Sequence, residues 1–189
     1  MRKALFYLLI MFLGSCSNEN EIEYYKRTFE NDFQFDVPSY MKKIPGEDMV
    51  YESASMFLGD EVKQVYVFVM KDLALDLRMS RIDPSLEGFT DLAVELTESM
   101  LVNPVSKFVK SGNVNGLDYK SYSVKGLLVP ENLLVYYRVT IFKSYATLYN
   151  LTTWCNLSDR FKYKEVTERM NSSFALIIDE NNNKMVKNE

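Results

Sequence analysis

The chain is 189 residues long, carries 22 Lys or Arg against 26 Asp or Glu for a formal net charge of −4, and contains no histidine. That length suits one domain with a single core. The acidic balance argues against nucleic-acid binding, and the missing imidazole excludes Ser-His-Asp catalysis, the usual zinc and copper ligand sets and histidine pH sensing.

Met1, Arg2 and Lys3 precede ten apolar residues, Ala4 to Leu13, and then Gly14, Ser15 and Cys16. A charged head, a short apolar stretch and small residues have the form of an export signal. The apolar run falls well short of the roughly 20 residues that a helix needs to cross a bilayer. Leu13-Gly14-Ser15-Cys16 resembles the bacterial lipobox, which implies cleavage after Ser15 and lipid on the Cys16 thiol. Two or more acyl chains, at about 0.8 kcal/mol per buried CH₂, make a stable anchor. Without Arg2 and Lys3 the mature chain would have 20 basic against 26 acidic residues. Ser17 to Glu21 reads as a polar tether, with residues 16–23 as the lipidated lead-in. Its acidic character resembles the surface-export signal of some Bacteroidetes lipoproteins. The domain is expected over 24–178, and the Asn-rich stretch 179–189 as a disordered tail. With Cys16 acylated, Cys155 is the one thiol left, so no internal disulfide forms. Its flanks, Trp154 and Leu157, suggest a buried small residue.

Phe33, Phe35 and Val37 alternate with Gln34 and Asp36 at the period of a half-buried strand that Pro38 stops. Tyr51 to Leu58 is a weaker strand, closed by Gly59-Asp60. Val62 to Met70 is strongly apolar on both faces and predicts a central strand. Asp72 to Ser80 suits a short helix or a loop. Asp83 as N-cap and Pro84 open an amphipathic helix in which Leu86, Phe89, Leu92, Ala93, Leu96 and Met100 face a sheet, ending before Pro104. Strand signals return from Lys107, with turn candidates at Gly112-Asn113, Asn115-Gly116 and Pro130-Glu131-Asn132. Tyr119 to Leu128 is one strand, and Leu133 to Phe142 with Ala146 to Trp154 form a long hairpin. Asn156 or Ser158 then caps a last helix spaced by Tyr163, Val166, Met170 and Phe174. Separated runs of strands and helices predict an α+β domain, an antiparallel β-sheet covered by helices.

This order, with Phe33-Gln34-Phe35-Asp36-Val37-Pro38-Ser39-Tyr40-Met41 and Lys63-Gln64-Val65-Tyr66-Val67-Phe68-Val69, resembles the PsbP-like α/β/α sandwich over Tyr24 to Ile178. The resemblance implies a fold whose members bind larger partners: an extrinsic photosystem II subunit, a Ran-binding nuclear transport factor and bacterial envelope lipoproteins. It transfers no functional residue to a position here, and fold alone does not set function.

Tyr136, Tyr137, Tyr145, Tyr149 and Trp154 are the densest aromatic group. They read either as cross-strand packing or as an exposed platform for a protein or glycan partner. Glu87, Asp91, Glu95 and Glu98 form a helix face that is solvated, binds calcium or repels anionic head groups. Asp32 with Asp36, and Asp72 with Asp76, are the carboxylate pairs to test for acid-base geometry. Asn150-Leu151-Thr152, Asn156-Leu157-Ser158 and Asn171-Ser172-Ser173 match the glycosylation triplet. Seven glycines without a phosphate-binding loop argue against nucleotide use, and no cofactor or metal is implied. The reading that follows is a non-enzymatic lipoprotein of the bacterial cell envelope, at the outer membrane facing periplasm or cell surface, that binds or helps assemble an envelope protein. Binding of a small apolar ligand between sheet and helices is the alternative, and a histidine-independent enzyme the third.

Overall fold

The computed structural model describes residues 22–44, 54–129 and 131–177. The export signal, Leu13, Gly14, Ser15, Cys16, the tether to Glu21, Pro130, residues 45–53 and the tail lie outside the described residues. Strands β1 (Tyr24–Phe29), β2 (Phe33–Pro38), β3 (Lys42–Lys43), β4 (Met56–Asp60) and β5 (Val65–Leu73) come first. Helices α1 (Ala74–Met79) and α2 (Leu86–Ser99) follow. Then come β6 (Leu101–Val114), β7 (Leu117–Leu128), β8 (Leu133–Lys143), β9 (Thr147–Asn156), α3 (Lys164–Ser173) and β10 (Ala175–Leu176).

A seven-stranded sheet has the order β3-β4-β5-β9-β8-β7-β6, and a small sheet the order β1-β2-β10. Every pairing is antiparallel. The alternation of β5 is what places it inside the large sheet. Val65, Val67 and Val69 join one core with Phe142, Leu151 and Cys155, under Phe33, Phe35, Val166, Met170 and Phe174 from the small sheet and α3. On the opposite face Val124, Tyr137, Val139, Ile141 and Leu148 pack against Leu77, Phe89, Ala93 and Val94 of α1 and α2. Strands apolar on both faces are the ones covered on both faces.

The small sheet is fastened by aromatic rings. Phe174, wholly buried, stacks on Phe142 of β8 with centroids 4.3 Å apart, on Phe33 at 5.5 Å and on Phe35 at 6.1 Å. Directly after it, Ala175 and Leu176 pair with Gln34 and Phe33. At the other side of the large sheet Gly59 pairs with Tyr66, whose ring lies where a Cβ at residue 59 would stand. Tyr66 in turn stacks on Trp154 at 4.3 Å.

Several expectations shift. The second strand is Met56–Asp60, so Gly59-Asp60 lies within it, and the third begins at Val65 because Asp60 Oδ1 accepts the Lys63 N–H at 2.9 Å and closes a turn over 61–64. Asp72 to Ser80 contains the short helix α1. The cap of α2 is Ser85, whose Oγ accepts from the Gly88 N–H at 2.9 Å. Asp83 instead takes the Ser85 N–H and hydroxyl, at 2.9 and 2.7 Å. Three residues separate an N-cap from the amide it caps, and Ser85 meets that spacing.

β6 starts at Leu101, six residues before Lys107, and contains both Pro104 and Gly112-Asn113. It tolerates the proline because it is an edge strand with a register shift between Val102 and Val105. The Asn115-Gly116 turn is made, with φ values of 50° and 82° that suit a two-residue hairpin. Neither Asn156 nor Ser158 caps the last helix: Leu157–Asp159 is a 3₁₀ turn and α3 begins at Lys164, behind Tyr163. The Asn156 amide donates to Gln64 instead. β1 and β10 carry no strand pattern of their own, and they make one layer as much strand as helix.

Because the Phe174 ring touches three separate strands, Phe174→Ala should cost about 3–5 kcal/mol. Urea unfolding followed by circular dichroism measures this. A loss under 1 kcal/mol would show that the small sheet is held by something else.

Candidate functional site

The aromatic group does not form one surface. Tyr137 and Tyr149 are 3% and 2% exposed, and alternation sends them to opposite faces: Tyr149 to the core beneath the small sheet, Tyr137 to the core beneath α2. Tyr136 and Trp154 are half-buried and also divide between the two faces, while Tyr145 alone is fully bare, in the β8–β9 turn. The platform is therefore corrected to cross-strand packing, with Tyr137 beside Trp154 and Phe142 beside Tyr149. Cys155 is buried, and burial pushes its thiol up to about 12, which suppresses the thiolate a nucleophile needs.

Beneath α3 the first face of the sheet contains a polar cluster. Arg138 is 6% exposed. Its Nε donates to Ser121 Oγ and its terminal nitrogen to Glu168 Oε1, both at 2.7 Å. Lys110 meets the other Glu168 oxygen, and Ser121 shares a hydrogen bond with Thr140 at 2.8 Å. Nothing in the alternation of β8 announced a charged residue here. A buried guanidinium needs such partners, since an unpaired one is strongly penalised. A cavity of about 30 Å³ adjoins it, lined by Arg138, Thr153, Thr167 and Glu168, which is room for a water and not for a substrate.

The opposite face holds a larger space. Between α2 and strand β5 a groove of about 430 Å³ is lined by Phe68, Met70, Leu77, Phe89, Leu92 and Leu96, with Asp72 and Asn150 as polar groups. Its volume and apolar walls are those of a small-ligand site. Burial first, and the neighbouring Asp76 second, hold the Asp72 carboxyl above its ordinary 3.8.

The other candidate groups have structural partners. Asp32 accepts the Tyr149 hydroxyl at 3.0 Å and pairs with Lys71 at 2.7 Å. Asp36 pairs with Arg169 at 3.1 Å. Both carboxylates thus tie the small sheet to its surroundings. Glu87 of the acidic helix face meets Lys120, and among the described residues no group of three acidic, Cys or His side chains is arranged to hold a metal. Asn150 and Asn171 are buried, so two of the three glycosylation triplets are closed to modification once the chain has folded. Among the described residues no helix is long and apolar enough to cross a membrane.

Against solved structures, the cyanobacterial PsbP of Synechocystis matches with a TM-score of 0.54 at 12% identity, over 87% of this chain and 98% of that one. The chain shares the fold of PsbP. Weaker matches are a Pseudomonas aeruginosa protein of unknown function described as a putative regulator, at TM-score 0.46, 11% identity and coverage of 79% and 94%, and Mycobacterium tuberculosis LpqN, described as involved in cell envelope biogenesis, at 0.47, 10%, 84% and 92%. No protein-family model matches the chain, and no curated protein matches it. As a PsbP-type fold it is dominated by antiparallel sheet with few helices.

Asp72 gives the groove a pH signature. Its raised folded value means that its charged form destabilises the fold, a penalty absent below about 3.8 that grows as pH rises through the folded value. Asp72→Asn should therefore raise the melting temperature at neutral pH, with the two proteins melting alike near about pH 3.5. Thermal melts at the two pH values decide this. An unchanged or lower midpoint at neutral pH contradicts it.

Proposed function

We propose that this protein is a lipid-anchored lipoprotein of the bacterial outer membrane, facing the periplasm or the cell surface, whose PsbP-like α/β/α sandwich binds or helps assemble an envelope protein without catalysing a reaction. The observation that carries the reading is the sequence Leu13-Gly14-Ser15-Cys16 behind a basic, apolar leader. Further support comes from the lack of histidine in the chain and from bare apolar side chains along the free edge of the large sheet. There Val102, Val105 and Phe108 of β6 are 47%, 54% and 46% exposed. A partner reaches these residues more readily than the buried tyrosines of β8 and β9, and exposed aromatic and aliphatic anchors are where interface energy concentrates.

The test is a Cys16→Ser variant, which should leave the membrane fraction and stay folded. Cross-linking from membranes of the lipidated chain should recover a protein partner that Phe108→Glu loses. Membrane fractionation of the Cys16→Ser chain would refute the anchor. A membrane pull-down without any partner, alongside turnover of a substrate by the purified domain, would refute the non-enzymatic role.

A second reading is favoured by the groove between α2 and β5: it would bind one small apolar ligand, such as an acyl chain, with Asp72 at its polar side. Native mass spectrometry of the soluble domain should then show a bound mass that disappears in Ala93→Trp, whose ring fills the space. An unliganded spectrum, together with no uptake of added fatty acid, counts against it.

A further inference from the structure

The described chain begins at Ile22, and one end of the fold collects around that entry point. The Ser39 N–H donates to the Glu23 carbonyl at 2.8 Å, and the Arg169 guanidinium lies 4.3 Å from the centre of the Tyr24 ring. Close by, the Lys63 ammonium sits 3.8 Å over the Tyr40 ring and pairs with Asp60 at 3.2 Å, and the Tyr163 hydroxyl donates to the Lys63 carbonyl at 3.2 Å. Two turns therefore flank the entry: residues 61–64 between β4 and β5, and residues 160–163 ahead of α3.

Each turn ends in a bare apolar side chain, Val62 at 95% and Phe161 at 71% exposure. Basic residues surround them. Lys42, Lys43 and Lys63 line a groove of about 450 Å³ that also contains Val62, and Arg160, Lys162 and Lys164 belong to the second turn and the start of α3. Six basic residues stand against five acidic ones there, Glu23, Asp60, Glu61, Asp159 and Glu165. This end is positive on a chain whose total is −4.

A single exposed valine or phenylalanine needs no explanation. Two of them, in separate turns, among lysines, at the point where the chain enters, do suggest a common surface. Five residues lie between Cys16 and Ile22, so a lipid on that cysteine leaves this end within about 20 Å of the bilayer. That reach lets the lysines come within the Debye length of about 8–10 Å over which anionic headgroups attract them, and apolar tips gain by entering the headgroup layer.

We infer that this end of the domain docks on an anionic phospholipid surface, with Val62 and Phe161 in the headgroup layer and Lys42 and Lys43 against lipid phosphates. The inference rests on the lipid anchor proposed above and adds an orientation to it. The β8–β9 turn at Tyr145 is then held away from the bilayer, since Val65 pairs with Cys155 at one end of β9 and Leu73 with Thr147 at the other, about 27 Å along the strand. Docking would leave the β6 edge and the α2 groove free for other contacts.

The experiment uses the lipidated full chain in vesicles of phosphatidylethanolamine with phosphatidylglycerol. An environment-sensitive fluorophore is placed at Val62→Cys or Tyr145→Cys, and nitroxide lipid is the quencher. Several-fold stronger quenching is expected at residue 62 than at residue 145, and the contrast should fall with added salt or in vesicles of neutral lipid. It should also fall in the double variant Lys42→Glu with Lys43→Glu and, with the label moved to Gln64→Cys, in Val62→Asp with Phe161→Asp. The last pair alters only exposed tips and leaves folding intact. Equal quenching at the two sites overturns the orientation while leaving the anchor standing. An unacylated Cys16 in the mass spectrum of the N-terminal peptide overturns the anchor, and the orientation with it.

Discussion

The ring of Phe174 is the contact on which most of the architecture depends. It stands between the last helix and the last strand, and it packs on side chains from β2, β8 and β9. The beginning and the end of the described chain are thereby drawn onto the same face of the large sheet. Without that anchor β1 and β2 would be a two-stranded ribbon, which is marginal in water. With it, Phe33 and Phe35 lose all contact with solvent, and the three-stranded sheet becomes a lid over the core. Polar ties complete the attachment, as Asn115 donates to the Phe174 carbonyl at 2.8 Å and Ser173 accepts the Asp36 N–H at 2.9 Å.

The two faces of the large sheet are finished differently, and the difference bears on function. Under α3 the packing combines aromatic rings with the Arg138 cluster, in which every charged group meets a partner. Loss of Glu168 would leave the buried Arg138 guanidinium without its carboxylate, which is the costly change here. Under α2 the walls are apolar but do not close. Leu92, which packs on the core there, and the exposed Leu96 line the groove beside it. Both faces hold a buried core, and only the second has an apolar groove beside it.

How much of this was legible in the residues depended on how local the signal was. β5, β8 and β9 could be read from alternation and from β-branched and aromatic content, and the Asn115-Gly116 turn from its backbone demands. β1, with the sequence YYKRTF and mostly exposed side chains, has no such pattern and exists because β2 offers it a partner. The first part of β6 was hidden by Pro104, a residue that an edge strand accepts and an inner strand does not. Helix caps were misplaced where two candidates stood close together and tertiary contacts chose between them, as Gln64 did for Asn156. Among the candidate site residues, the division of Tyr136 from Tyr137 and of Tyr149 from Trp154 was implicit in the period of two. Their degree of burial was not, because that depends on what covers each face.

What the sequence determined by itself, then, was which histidine-dependent mechanisms are closed to the chain, and the main elements. Absent histidine removes whole mechanisms wherever the other residues stand, and alternation decides which side chains share a face, because both follow from residue identity and local geometry. Only the tertiary structure decided which face has an apolar groove beside it, that Arg138 is buried with Glu168, and that Val62, Phe161 and three lysines gather where the chain enters. These are meetings of residues far apart in the chain, and packing alone brings them together.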